Sequence, residues 1–88
     1  MDFRIVEMPG LKLKHILLER FQDDDRWQVA ISVYMEKESR YDEWEICDSA
    51  DQAREFIKNY AQDDAYAFMG RAIDWQEDKD ARLARANA

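Results

Sequence analysis

The residue types that most often carry acid–base and nucleophilic catalysis occur once each in this 88-residue chain, as His15 and Cys47. A catalytic histidine needs an activated Ser or Cys beside it and a third group that orients it. No spacing pairs His15 with Cys47 or Ser49. Cys47 precedes a predicted helix start, where a thiolate is stabilised, but a lone cysteine on a strand is typical of a small buried residue. We therefore predict a surface histidine, a buried cysteine and no enzyme.

Two short acidic clusters could bind a cation or a basic partner. Asp23, Asp24 and Asp25 lack the alternating ligands, the glycine and the distal glutamate of a calcium loop. They are interpreted as a solvated hairpin turn, with an acidic contact point for a partner as the alternative. Asp63 and Asp64 are typical of a helix cap, because acidic side chains match the positive end of a helix. No metal or cofactor is expected.

The charge distribution favours a basic partner. The chain contains 13 Lys and Arg residues and 20 Asp and Glu residues, so its net charge is −7. Residues 42–80 contain twelve acidic and four basic residues, whereas residues 1–41 contain eight acidic and seven basic residues. A field of this sign repels nucleic acid and attracts basic protein surfaces. We therefore expect a basic protein or nucleoprotein complex as the partner, without direct contact to nucleic acid.

Length and composition predict one domain over residues 1–88. The cysteine count and the N-terminal sequence predict that it is found in the cytoplasm. The single cysteine forms no internal disulfide, and the N-terminus lacks the basic start and apolar run of a secretory signal. The longest strongly apolar stretch, residues 16–18, is far shorter than a membrane helix. The expected oligomeric state is a monomer or a weak homodimer.

The first half of the chain predicts four strands. Residues 2–7 are rich in β-formers and are followed by a Pro9-Gly10 turn. Residues 11–22 fit a strand and a helix about equally, and the turn signals at both ends favour the strand. Residues 27–37 alternate apolar with polar side chains, as in a sheet with one face on a core.

The fourth strand is predicted over residues 41–47, with Trp44 and Ile46 on one face and Glu43 and Glu45 on the other. Five aromatic side chains are expected in the core: Trp27, Trp44, Phe56, Tyr60 and Phe68.

The second half predicts two helices. Ser49 and Gln52 fit a capping box at the start of the first. Gly70 lies inside the second, where close helix packing would explain it, and the apolar pattern fades after Trp75. Residues 77–88 are expected to form an exposed, frayed helical tail. The fold class is α+β: a four-stranded antiparallel sheet followed by two helices packed on one face. The buried face of the second helix is predicted to consist of Ala65, Phe68, Met69, Ala72 and Ile73.

Exposed aromatic residues near acids are typical interface anchors. Tyr34 should point away from the core face of its strand, Tyr41 begins a strand, and Trp75 lies where the apolar pattern ends. The predicted partner-binding residues are Tyr34, Tyr41, Glu43, Asp23, Asp24, Asp25, Asp63, Asp64 and Trp75.

The layout of four antiparallel strands and two helices in a short acidic chain resembles the small phage-encoded anti-CRISPR inhibitor proteins. The resemblance implies that tyrosines and acidic residues of the sheet region contact a basic, RNA-holding surface of a CRISPR effector complex. Tyr34, Tyr41 and Glu43 would take that role here, and residues 48–52 carry the best local similarity. Residues 1–10 and the helical tail depart from the family's layout. A phage-encoded inhibitor would act in the host cell cytoplasm.

The expected function is therefore that of a non-enzymatic inhibitor that covers a basic, nucleic-acid-binding surface of a partner complex. One alternative is an immunity protein or antitoxin that neutralises a basic nuclease toxin, since the same charge physics would serve it. Another is a small structural or assembly protein that forms a homo-oligomer through Trp75 and the helix faces.

Overall fold

Four strands precede two helices in the computed structural model, which describes residues 2–8, 14–35 and 39–86. Each strand pairs antiparallel with its neighbour in sequence, in the order β1-β2-β3-β4. The predicted α+β fold is confirmed. The elements are β1 (Phe3–Glu7), β2 (His15–Asp23), β3 (Arg26–Tyr34), β4 (Arg40–Cys47), α1 (Ala50–Asn59) and α2 (Gln62–Ala86).

The segment that fitted both a strand and a helix is a strand where it is described, as β2. A two-residue turn, Asp24 and Asp25, joins β2 to β3, and the register pairs Asp23 with Arg26. Asp24 has a φ of 54°, a left-handed conformation that Asp adopts more readily than most residues. The predicted hairpin turn is therefore confirmed. The Pro9-Gly10 turn and the first part of the 11–22 segment lie outside the described residues.

The core lies between one face of the sheet and the two helices. Alternate residues of the central strands point into it, as the period of two requires, and Cys47 is buried at the end of β4. The largest fully buried side chains come from β2, β3, α1 and α2: Phe68, Ile16, Leu18, Ile57, Val29 and Val33.

Side chains fix both ends of α1. Ser49 Oγ accepts a hydrogen bond from the backbone N–H of Gln52 at 3.1 Å, so the predicted N-cap is confirmed. At the other end, Arg4 of β1 donates to the carbonyl oxygens of Ile57 at 3.1 Å and Tyr60 at 2.8 Å. A guanidinium there satisfies carbonyls that have no partner within the helix and matches its negative end. The first strand is thereby joined to the first helix.

The buried stripe of α2 is narrower than predicted. Ala65, Phe68, Met69 and Ala72 are buried, but Ile73 is 38% exposed. At 100° per residue, Ile73 lies about 90° around the helix from the centre of that stripe. The close packing expected at Gly70 is also wrong, because a Cβ atom built there meets nothing within 4 Å.

The last turns of α2 extend past the sheet and give the molecule a long dimension of 49 Å. Residues 80–86 of this helix are exposed. Neither helix in the described part of the chain is long and apolar enough to cross a membrane.

Candidate functional site

The face of the sheet that points away from the helices, here called the open face, is rich in uncovered hydrophobic side chains. Five large ones are 57–66% exposed: Phe3, Ile5, Tyr34, Trp44 and Ile46. The strand register places one row across the sheet in the order Phe3, Glu19, Ala30 and Trp44. Together the five side chains expose on the order of 500 Å². Phe3 and Trp44 lie on the two edge strands with Glu19 and Ala30 between them, so the exposed apolar area is distributed across the face.

The burial predicted for Trp44 is wrong. The register pairs Val29 with Glu45 and Ile31 with Glu43, so both glutamates of β4 lie on the helix-facing side and Trp44 lies on the open face. The alternating pattern correctly predicts that Trp44 lies on the opposite side of β4 from Glu43 and Glu45. The hydrophobicity of Trp44 leads to the wrong side, because it predicts that this side chain is in the core. An edge strand can hold glutamates beside the core because their carboxylates still reach solvent or an arginine.

The open face also carries acidic side chains. Glu7 and Glu19 are exposed, and neither forms an ion pair with any described residue. Asp42 is paired with Arg40, whose Nε lies 2.7 Å from its carboxylate. Asp23, at the end of β2, lies on the same face and is also exposed without an ion pair to a described residue. The face therefore combines hydrophobic anchors with three carboxylates available to a partner, two of them, Glu7 and Glu19, away from the hairpin turn.

Two predicted partner residues of β4 are engaged within the fold instead. The hydroxyl of Tyr41 donates to Glu43 Oε2 at 2.7 Å. Arg71 of α2 donates to both carboxylate oxygens of Glu43, from Nε at 2.7 Å and from Nη2 at 2.9 Å. This two-point pairing lowers the pKa of Glu43 below its ordinary value, and burial raises the pKa of Tyr41. Both residues help to hold α2 against β4.

Trp75 belongs to the same cluster. The ring of Tyr41 lies 5.5 Å from that of Trp75 and 5.4 Å from that of Phe68. The structure therefore brings Tyr41, Glu43 and Trp75 together on the helix side, while Tyr34 is exposed on the opposite side of the sheet.

The remaining predicted partner residues lie apart from these. Asp23, Asp24 and Asp25 are exposed at the β2–β3 turn. Asp63 and Asp64 are exposed in the first turn of α2, where Asp64 Oδ2 accepts a hydrogen bond from the N–H of Ala61 at 2.9 Å. The nine predicted residues thus do not form one continuous surface.

A cleft of about 560 Å³ opens between β4, α1 and the start of α2. Burial of Tyr60 at its base raises the pKa of that phenol to about 12. The sequence did not suggest this cleft, since its walls come from three elements and only the packing of the helices brings them together. Its acidic residues are Glu43, Glu45, Glu55 and Asp64, and its main apolar residues are Ile31, Ile46, Cys47, Phe56, Tyr60 and Ala67.

The sequence did carry a signal for the open face. On β1, Phe3 and Ile5 share one side and Val6 lies on the other, and on β4, Trp44 and Ile46 share one side and Cys47 lies on the other. Two helices cover only one side of a sheet, so a second apolar side remains without cover.

Across the described ranges, no group of three or more His, Cys, Asp or Glu side chains is placed to hold a metal ion. The chain matches no protein-family model, no curated protein and no solved structure. Its function is therefore inferred from its own surfaces.

Proposed function

We propose that this protein is a non-enzymatic inhibitor that places the open face of its sheet on a basic protein surface and keeps nucleic acid from that surface. The observation that supports this proposal is that the open face carries five exposed hydrophobic side chains together with Glu7 and Glu19. The proposed resemblance in layout to the small phage-encoded anti-CRISPR proteins implies a target of this kind, a basic surface that holds RNA. The partner we propose is accordingly an RNA-guided effector complex.

The physical mechanism is occlusion. Trp44 and Tyr34 would act as anchors that exclude water, and such side chains dominate interface energies. Glu7 and Glu19 would pair with Arg or Lys side chains that otherwise hold phosphates. The net charge of −7 would speed the encounter with a basic surface. A standard interface buries about 800 Å² on each partner, so the open face, with its hydrophobic and polar side chains together, is of suitable size.

A second copy of the chain suits the open face less well than a basic partner does. Glu19 lies on the central strand β2, between Phe3 and Ala30 in the register. Face-to-face pairing would place two copies of this carboxylate inside one interface. The strand residues of the face supply two permanent cations: Arg40, which is already paired with Asp42, and Arg26, which lies at the far end of β3, four residues from Ala30. Burying an unpaired charge is costly.

The test measures target-DNA binding by purified CRISPR effector complexes, followed by fluorescence anisotropy as the protein is added. We expect the wild-type chain to weaken DNA binding, and to do so less as salt is raised. Trp44→Ala and Glu19→Gln should each reduce inhibition at least about tenfold, as loss of a central anchor or buried charge pair does. Tyr66→Ala is the matched control, because Tyr66 is a 48% exposed aromatic residue on α2.

Two results would contradict the proposal. One is that no effector complex in a broad panel loses DNA binding, including the case in which a basic nuclease is neutralised instead. The other is that Tyr66→Ala weakens inhibition as much as Trp44→Ala does. Sedimentation of the free protein adds an independent check, since a concentration-dependent dimer that Trp44→Ala dissociates would assign the open face to a second copy.

A further inference from the structure

The cleft adjoins the open face at the outer edge of β4. Ile46 is exposed on the open face and also lines the cleft, so a partner bound to the face reaches the mouth of the cleft. The volume of about 560 Å³ is typical of clefts that bind side chains or small ligands. The cleft is therefore a separate space next to the proposed interface.

The walls of the cleft are negatively charged. Four carboxylates and one guanidinium line it, and that guanidinium, Arg71, is neutralised by its two hydrogen bonds to Glu43. Glu45 and Glu55 are exposed and make no ion pair within the described ranges. A cation that enters the cleft would therefore meet unneutralised carboxylates on both β4 and α1.

The base of the cleft is aromatic and apolar. The rings of Phe56 and Tyr60 lie 5.9 Å apart and are tilted by 53°. Ile31 and Cys47 of the sheet also line the cleft and are buried. Aromatic faces attract cations, and they attract the planar guanidinium group in particular because it also stacks on them.

We propose that the cleft binds an arginine side chain, which the basic partner inserts while it covers the open face. That the arginine belongs to the inhibited partner rests on the proposed function. That the cleft favours an arginine side chain rests only on the residues that line it. In this proposal the guanidinium stacks on Phe56 and pairs with Glu45 or Glu55, since all three residues line the cleft. Arg71 and Glu43 already show such two-point pairing in one wall of the cleft. A lysine ammonium would gain the charge attraction but less of the stacking.

The experiment titrates the ¹⁵N-labelled full chain with the peptide acetyl-Gly-Arg-Arg-Gly-amide and follows amide shifts by NMR. The largest shifts are expected at the cleft residues of α1, around Phe56. The matching Lys-Lys peptide should bind at least about threefold more weakly. The double variant Glu45→Gln, Glu55→Gln should weaken binding of the arginine peptide about tenfold. Its matched control is Glu77→Gln, Asp80→Asn, which removes the same charge from exposed positions of α2.

The proposal is overturned if the control variant weakens binding of the arginine peptide as much as the cleft variant does. The peptide would then be attracted by the net charge of the protein and not by the cleft. The proposal is also overturned if the shifts spread over all acidic surfaces or if both peptides bind equally. Phe56→Leu keeps an apolar side chain in place and should remove the preference for arginine, with unaltered thermal unfolding as proof of folding. Peptide binding without inhibition of any effector complex would leave this proposal standing and reject only the proposed function.

Discussion

Gly70 offers a sharp test of the packing described for α2, because replacing it by alanine should stabilise the protein. The residue lies inside a 25-residue helix and is exposed, and an added Cβ meets no atom within 4 Å. Alanine is favoured over glycine in a helix interior by about 1 kcal/mol. For a chain of 88 residues the entropy of unfolding is about 0.18 kcal/mol per degree, so the melting temperature should rise by about 5 °C.

Thermal unfolding followed by circular dichroism measures this shift directly. Ala84→Gly is the reciprocal control, since it makes the opposite change in the exposed last turn of the same helix. That turn can open without unfolding the core, so we expect a change in melting temperature of less than about 2 °C. A Gly70→Ala variant that melts at or below the wild-type temperature would refute the reasoning, because it would mean that another part of the chain occupies the space beside Gly70.

Three further predictions test the fold, and they concern the α2 stripe, the cap of α1 and the ion pair of Glu43. Phe68→Ala should cost about 3–5 kcal/mol in urea denaturation because Phe68 is fully buried, whereas Ile73→Ala should cost about 1 kcal/mol or less. Ser49→Ala should cost about 1 kcal/mol through loss of the N-cap, and Ser49→Asp should restore most of it. Glu43→Gln should lower the melting temperature at neutral pH, with a smaller effect as the pH falls below about 4.5, the ordinary pKa of the group. The sign follows from the lowered pKa of Glu43 in the fold: the stabilisation is present when the carboxylate is charged and disappears when it is protonated.

Each result has an outcome that would count against the structure. Equal costs for Phe68→Ala and Ile73→Ala would place both side chains in the core. A Ser49→Asp variant no more stable than Ser49→Ala would mean that the cap contributes nothing. A difference between Glu43→Gln and wild type that stays constant from pH 7 to pH 3 would show that the pairing with Arg71 does not depend on charge.

Local patterns were sufficient to predict most of the fold. The alternation in residues 27–37 predicted the face of β3 correctly for Val29 and Ile31, because the period of two is a property of the strand itself. The capping residue Ser49 and the acidic hairpin turn were also predictable, since each depends on residues adjacent in sequence.

The parts that depend on packing could not be predicted in the same way. Alternation gives two sides of β4 but does not say which side meets the helices, so Trp44 was assigned to the wrong one. The ion pair between Arg71 and Glu43 joins residues 28 positions apart and has no signature in either segment. The open face was implied by apolar residues on both sides of an edge strand, but the cleft needed the actual position of α1 and α2.

The alternation of β4 has a consequence for genetics. If the proposed inhibitory activity is placed under selection, a codon-by-codon substitution scan of β4 should find that the effect of a substitution alternates between neighbouring positions. Changes at Glu43 would reduce the amount of folded protein in the cell, and changes at Trp44 would leave abundance intact while activity falls. Variants that change the target should therefore accumulate at the even-numbered positions of this strand and at Glu45, which lines the cleft.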